Sequence, residues 1–463
     1  MARCRRCPDL VVLALLLASR FAVAQPQIEP AIDPAALPPA AAPLDRRGVD
    51  VDDFDLQVFG YLQAAAVFFD ESSVDELDPS TATPLNDTRF LIRRARLGAS
   101  ARHRFAYGRV ELDGNTVRGP TVRLISAFAG LWLPKAGGTD DDGSWPLVEG
   151  RIGLFRTPFG AEVQEASRDR LYLELSNMAN ALFPGEYDQG LEVKGQWRFL
   201  RYQLATMDGA PLGDRGSPGF DPTARRDFIG RVGVDVVVVD GARLSAGGSL
   251  LGGQGLSLGS PATKDSIQWR DGNGNGAVEL PELQPIAGRA AVPSTPFFRS
   301  AAGADVDLRL ALPLGFLVGD DPALAGTPGS VPPWELRLFG ELVFAQNLDR
   351  GRFVADPVAV GRDLRELGFA VGVTQQLTRF GALGVRYDWY TPDFDAAERR
   401  AATLVPVDQS VSTLAVVVAW IPIEAFVLAL ELNLNDNHLG RDVAGTPARL
   451  ADNRLFLRAQ MNL

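Results

Sequence analysis

The sequence is poor in the residues on which most catalytic and metal chemistry depends. Two of its 463 residues are cysteine, Cys4 and Cys7, and two are histidine, His103 and His438. Because both cysteines stand at the extreme N-terminus, the body of the chain has no thiolate nucleophile and forms no disulfide in an oxidising compartment. Two distant histidines are too few for an ordinary zinc site, and neither adjoins a nucleophile motif, so no enzymatic activity is expected. Lysine is scarce too: only Lys135, Lys194 and Lys264 are lysine among 46 basic residues. Positive charge is therefore carried by arginine, whose planar fork pairs bidentately with carboxylates and phosphates. Long apolar runs are missing. The longest, Leu10 to Ala18, is about half the roughly 18–20 residues that a membrane-spanning helix needs.

That run follows Arg3, Arg5 and Arg6 and precedes Ala22-Val23-Ala24, the charged, apolar and small-residue regions of a secretory signal peptide. Residues 1–24 are predicted to be cleaved on export. Cleavage removes four arginines and one aspartate, taking the formal charge from −11 to −14. So acidic a chain argues against nucleic acid as a partner. Residues 25–53 carry Pro26, Pro30, Pro34, Pro38, Pro39 and Pro43 among alanines, the composition of an extended periplasmic tether.

From Phe54 onward the text becomes a series of alternating segments. Arg109, Glu111 and Asp113 interleave with Val110 and Leu112, and Glu192, Lys194 and Gln196 with Leu191, Val193 and Trp197. Arg386 and Asp388 interleave with Val385, Tyr387 and Trp389, and Arg454, Arg458 and Gln460 with Leu455, Leu457 and Met461. One polar and one apolar face per strand is the pattern of a barrel wall between lipid and water. Tight turns are expected at Arg102–Phe105, Asp240-Gly241, Thr378–Gly381 and Ile421–Glu424, and longer links between them; the links 134–147 and 313–333 are long where short ones are due. The expectation for 54–463 is an all-β fold, a transmembrane antiparallel β-barrel of about 16 strands with long outer loops, set in outer-membrane lipid.

The stretch Arg89 to Gly98, Arg-Phe-Leu-Ile-Arg-Arg-Ala-Arg-Leu-Gly, holds four arginines in a strand-like sequence. Strict alternation puts Arg94 and Arg96 on one face with Phe90 and Ile92, and Arg93 with Leu91, Ala95 and Leu97. This stretch resembles the Phe-x-Ile-Arg-Arg-Ala-Arg-Leu-Gly strand of the phosphate-selective porin O and P family. Arg151-Ile-Gly-Leu-Phe-Arg-Thr-Pro-Phe-Gly160 resembles that family's Gly-Gln-Phe-Lys-x-Pro-Phe-Gly strand end, and Ser167 through Gly185 resembles the loop that follows it.

The resemblance implies a trimeric, 16-stranded porin of a Gram-negative outer membrane, with its third outer loop folded inward as a constriction. It implies Arg94, Arg96 and Arg151 as wall residues of an anion path, and Arg156, Arg168 and Arg170 as constriction residues. Small anions such as phosphate would be the permeants. Two departures bear on this. Arg156 stands where the family often has lysine, and three lysines cannot build a multi-lysine phosphate site; anion passage survives that change better than phosphate selectivity. The chain also finishes on Leu463, where many such barrels finish on an aromatic residue. The competing readings are arginines that merely pair with Glu111, Glu149, Asp169 and Glu174, a general or cation-leaning porin, and a barrel whose loops serve as adhesin or receptor.

Within the longest outer loop, 256–296, the run Asp271 to Glu282 satisfies D-x-[DN]-x-[DN]-G-x₅-E. Asp271, Asn273, Asn275, the Ala277 carbonyl, Glu279 and Glu282 are the expected oxygen ligands of a calcium ion, with Gly276 at the sharp turn. Such a loop-borne site would order the loop without bearing on the pore.

Overall fold

The computed structural model describes residues 48–51, 54–69, 88–103, 105–117, 119–133, 145–214, 225–239, 241–311, 335–378, 380–400, 403–423, 425–441, 447–450 and 453–463. The expected signal peptide and nearly all of the tether lie outside the described residues, as do most of the two long links 134–147 and 313–333.

Sixteen of the strands form the wall, taken in chain order. They are β1 (Phe54–Phe69), β2 (Arg89–His103), β3 (Ala106–Asn115), β4 (Thr121–Leu133), β5 (Val148–Arg156) and β6 (Tyr187–Trp197). Then come β7 (Leu200–Met207), β8 (Asp227–Val239), β9 (Ala242–Ser257), β10 (Thr295–Ala311) and β11 (Glu335–Gln346). The circuit ends with β12 (Arg365–Thr378), β13 (Gly381–Thr391), β14 (Val411–Ile423), β15 (Phe426–Arg441) and β16 (Arg454–Asn462). Each pairs antiparallel with its sequence neighbour, and β16 returns to β1, from Tyr61 opposite Asn462 to Phe69 opposite Arg454. The sheet is thereby a closed barrel without edges.

The alternation explains which face goes where. Leu62, Phe90, Leu97, Val110, Ile152, Leu191, Leu204, Phe228, Leu250, Phe344 and Leu457 all project outward and are exposed. So broad an apolar surface is untenable in water and is what a lipid-facing wall needs. Phe105, Trp197, Phe199, Phe380 and Trp420 are exposed close to the short turns, where amphipathic rings mark a membrane boundary. Among the described residues no helix is long and apolar enough to cross a membrane.

The arginine-rich strand departs from the alternation expected of it. Gln63 faces Arg94 and Ala64 faces Ile92, so Arg93 is the extra residue of a β-bulge. The bulge shifts the phase by one. Phe90 and Ile92 point to lipid with Ala95 and Leu97, while Leu91, Arg94, Arg96 and Gly98 point into the lumen. A regular strand would have put guanidinium groups and Phe90 on the same side; one inserted residue gives each its proper solvent.

The five shortest links, at 104–105, 198–199, 240–241, 379–380 and 424–425, gather at one end of the barrel. At the other end stand the links 157–186, 208–226, 258–294, 347–364 and 392–410.

Candidate functional site

The link between β5 and β6 does not stay outside. From Thr157 to Glu186 it folds into the barrel at mid-height and carries a short helix, α1 (Asn177–Leu182), whose residues are nearly all buried. Phe159, Val163, Leu175, Met178, Leu182 and Phe183 pack against inward-facing Ala205, Met207, Ile229, Leu251, Ala301 and Val343 of the wall. Phe159 stacks on Phe183 with centroids 4.7 Å apart. Small wall residues make the room. A Cβ on Gly303, for example, would lie 3.0 Å from the Phe159 ring.

Irregular backbone inside a barrel has no ladder to satisfy it, so its N–H and C=O groups need partners from the wall. The side of the wall that runs from β11 through β16 to β2 supplies them. Glu341 on β11 accepts hydrogen bonds from Ala161 N (3.0 Å) and Glu162 N (2.9 Å). Glu431 on β15 accepts from Leu173 N (2.7 Å), and Asp388 on β13 from Asn177 N (2.9 Å). In the opposite sense, Arg458 on β16 donates to the carbonyls of Arg170 (3.3 Å) and Leu171 (2.8 Å), and Arg94 donates to that of Leu173 (3.1 Å). Gln460 and Gln63 reach the carbonyls of Arg168 (2.9 Å) and Ser167 (3.2 Å). Gly160 explains the end of the Thr-Pro-Phe-Gly run: it has φ +63°, and a Cβ there would overlap Glu341 Oε1.

The six arginines expected to line an anion path lie along this loop or the wall facing it, but most are already engaged. Arg94 is buried between Gln63 Oε1 (3.0 Å) and the Leu173 carbonyl, with Glu174 3.6 Å away. Arg96 is buried against Asp113 (3.2 Å) and the Tyr187 hydroxyl (3.3 Å). Arg151 meets Glu192 at 2.5 Å and lies over the Phe155 ring. Arg156 donates to the Gln164 carbonyl (2.8 Å) and the Tyr187 hydroxyl (2.7 Å), and buried Arg170 holds Glu186 at 2.5 Å. Only Arg168, beside Asp169, is largely exposed. Burial pushes the Glu186 carboxyl up, but Arg170 and Arg156 outweigh it and hold it at about 2. Glu174 is held at about 2 by Arg93 and Arg94 in the same way, against its burial.

A second set of arginines, not singled out from the sequence, faces the open part of the lumen. In each of its pairs the cation reaches into water while the carboxylate lies at the foot of the wall. Side-chain exposures are 39% against 5% for Arg109–Glu111, and 46% against 3% for Arg123–Asp113. They are 55% against 4% for Arg243–Asp235, and 44% against 13% for Arg309–Asp307. The signal was present in the alternating segments: arginine is several bonds longer than the aspartate beside it, so the two charges of one pair sit at different depths.

The longest outer loop carries a hairpin, Ser266–Trp269 against Leu283–Ile286, around the calcium-type sequence. Asp271 accepts from Gly274 N (2.7 Å) and Gly276 N (2.8 Å), and both glycines have left-handed φ. Asn273 and Asn275 turn their amide nitrogens to Glu279, at 3.1 and 2.9 Å, and Glu282 accepts from Gly272 N (2.9 Å) and Trp269 Nε1 (3.0 Å). Among the described residues no three Asp, Glu, His or Cys side chains are gathered as around a metal ion. At the rim, the His438 ring lies between Asp436 (3.1 Å) and Asp408 (3.6 Å), and the Ser410 hydroxyl donates to Asp408 rather than to the imidazole.

No protein-family model and no curated protein sequence matches the chain. Solved structures do. The outer-membrane channel DcaP of Acinetobacter baumannii aligns with a TM-score of 0.52 at 11% identity, over 90% of this chain and 99% of that one. An anion-selective porin from Comamonas acidovorans aligns with a TM-score of 0.49 at 9% identity, over 89% of this chain and 100% of that one. OmpT of Vibrio cholerae gives 0.47 at 10% identity, over 90% and 100%. What identity this low carries is the fold, and the likeness to DcaP agrees with the strand pairing: the chain is a closed, sixteen-stranded, antiparallel β-barrel.

Proposed function

We propose that this chain is an outer-membrane porin, an aqueous channel for passive passage of small anions, phosphate among them, with its short turns in the periplasm. The observation that supports the anion preference is the difference in reach within the lumen pairs. A solute passing Arg109, Arg123, Arg243 or Arg309 meets a guanidinium before it meets the carboxylate behind it. The field is a dipole rather than a bare charge, so the preference is modest and release is easy, as conduction requires. Of the six arginines named from the resemblance, Arg94, Arg156 and Arg170 belong to this proposal as posts for the inward loop, Arg96 and Arg151 as ion-pair partners within the wall, and Arg168 alone of the six as a group in the open path. A homotrimer, expected from the same resemblance, completes it; light scattering of the detergent-solubilised protein tests that element.

The channel reading is tested by the reversal potential of the purified protein in a planar bilayer under a KCl gradient. A chloride-directed potential is expected. At about 7 Å in water a unit charge is worth roughly a factor of two to three in ion preference, so Arg243→Gln with Arg309→Gln should lower the chloride-to-potassium ratio severalfold. A potassium-directed potential in the unmodified protein overturns the anion preference, and no conductance overturns the channel.

We also propose that the outer hairpin binds calcium through Asp271, Asn273, Asn275, the Ala277 carbonyl, Glu279 and Glu282. The donor set, carboxylate and carbonyl oxygens alone, suits a hard cation. Glu279 would first have to release the two asparagine amides. Terbium luminescence sensitised by Trp269 and abolished by Asp271→Ala is the expected result; no sensitised emission at millimolar terbium overturns the site.

A further inference from the structure

The open part of the lumen has two chemically different sectors that meet at one side chain. Arg243, Arg309 and Arg337 are direct register partners across β9, β10 and β11, three guanidinium groups in a row where like charges oppose one another. Their partners are Asp235, Asp307, Glu335 and Glu165, and Asp235 is shared with a fourth arginine, Arg201, so four cations meet four carboxylates and none of the row is bare. Two residues along β11, on the same face as Arg337, stands Phe339.

Phe339 ties the row to an apolar patch. The Arg337 guanidinium lies 5.1 Å from the centre of its ring. The ring spreads over Gly372 of β12, where any Cβ would collide with it, and meets Tyr172 edge-on at 6.3 Å. Beyond it, half-buried Leu171, Ala382 and Val427 cover a buried floor of Ala415, Val417, Ala419 and Ala429. The floor seats the loop residues Leu171 and Tyr172, but the half-buried faces of Phe339, Ala382 and Val427 that remain toward the lumen offer nothing to hydrated inorganic ions, which keep their water and prefer polar lining.

We propose that the permeants this lumen selects are amphiphilic organic anions, a carboxylate on an aliphatic or aromatic body. The carboxylate meets the row of arginines while the body slides over Phe339 toward Leu171 and Val427. The proposal rests on the anion-channel reading and adds the substrate class. It differs from a phosphate channel in what it needs: a second, apolar contact on the same molecule.

Single-channel recordings with the sodium salts of acetate, hexanoate and benzoate test it, because the charged group is constant and only the body changes. Covering roughly 50 Å² of apolar surface should lengthen blocks by hexanoate and benzoate about tenfold over those by acetate. Phe339→Ala should reduce that ratio to about two, and Val427→Thr, which is close in size and leaves the Phe339 ring in place, should lower it as well. Equal block times for the three anions in the unmodified channel overturn the substrate class. The KCl reversal potential, measured in parallel, separates this from failure of the channel reading: a chloride-directed potential with equal block times removes only the apolar contact.

Discussion

Replacement of Glu341 by alanine should release the inward loop while leaving the barrel closed. The Glu341 carboxylate accepts from two successive loop amides, Ala161 N at 3.0 Å and Glu162 N at 2.9 Å, and it is buried. Leaving a buried donor without its acceptor costs about 1–3 kcal/mol, here for two amides, and lumen water can replace part of what is lost. A net cost of about 3 kcal/mol for opening the first turn of the loop follows, roughly a hundredfold in its open population. None of the ladder bonds of β11 is touched, so heat stability of the barrel should change little. Hydrogen exchange of residues 159–182 should accelerate roughly a hundredfold, and single-channel current should become noisy. Glu341→Gln retains a carbonyl oxygen and should lose less than half as much. Exchange in the loop unchanged by Glu341→Ala would refute the idea that the wall carboxylates hold it in place.

Gly160→Ala places a Cβ against Glu341 Oε1 at φ +63°; it should cost more in the native protein than in the Glu341→Ala background, where only the backbone cost of about 1–2 kcal/mol remains, as hydrogen exchange of residues 159–182 in the native protein and the three variants will show. Arg94→Ala with Arg96→Ala removes groups bonded to Gln63, Leu173 and Asp113, so it should loosen the loop and shift the KCl reversal potential less than Arg243→Gln with Arg309→Gln; a larger shift would return Arg94 and Arg96 to the ion path. Because the folded Glu186 carboxyl is held at about 2, below its ordinary 4.5, its contribution is whole above pH 4.5 and is lost as pH falls toward 2. Channel noise should therefore rise across that interval while the circular dichroism of the barrel persists, and a noise level flat down to pH 2 would contradict the assignment.

The barrel was legible because alternation repeats in every strand, so errors in single segments do not accumulate: about 16 strands were expected and sixteen close the sheet. The inward loop was legible only through a resemblance, although its Gly160 has a local physical reason. The faces of Arg94 and Arg96 were not legible, since a β-bulge adds one residue without any residue type to mark it, and everything beyond it changes side. Glu341, Asp388, Glu431 and Arg458 were missed for another reason. A polar residue at an inward position reads the same whether it faces water or an irregular backbone, and only the folded loop distinguishes the two. The charge of the lumen illustrates a more general point. A formal charge of −11 gives every carboxylate and every guanidinium equal weight, whereas a solute weights each by its reach from the wall. Arginine paired with a short acid on the same strand face or the next strand leaves the sum at zero and the surface positive. An acidic chain can line an anion channel in this way, and under the function proposed above the residues that would decide its preference are those whose partners lie deepest, Arg109, Arg123 and Arg243.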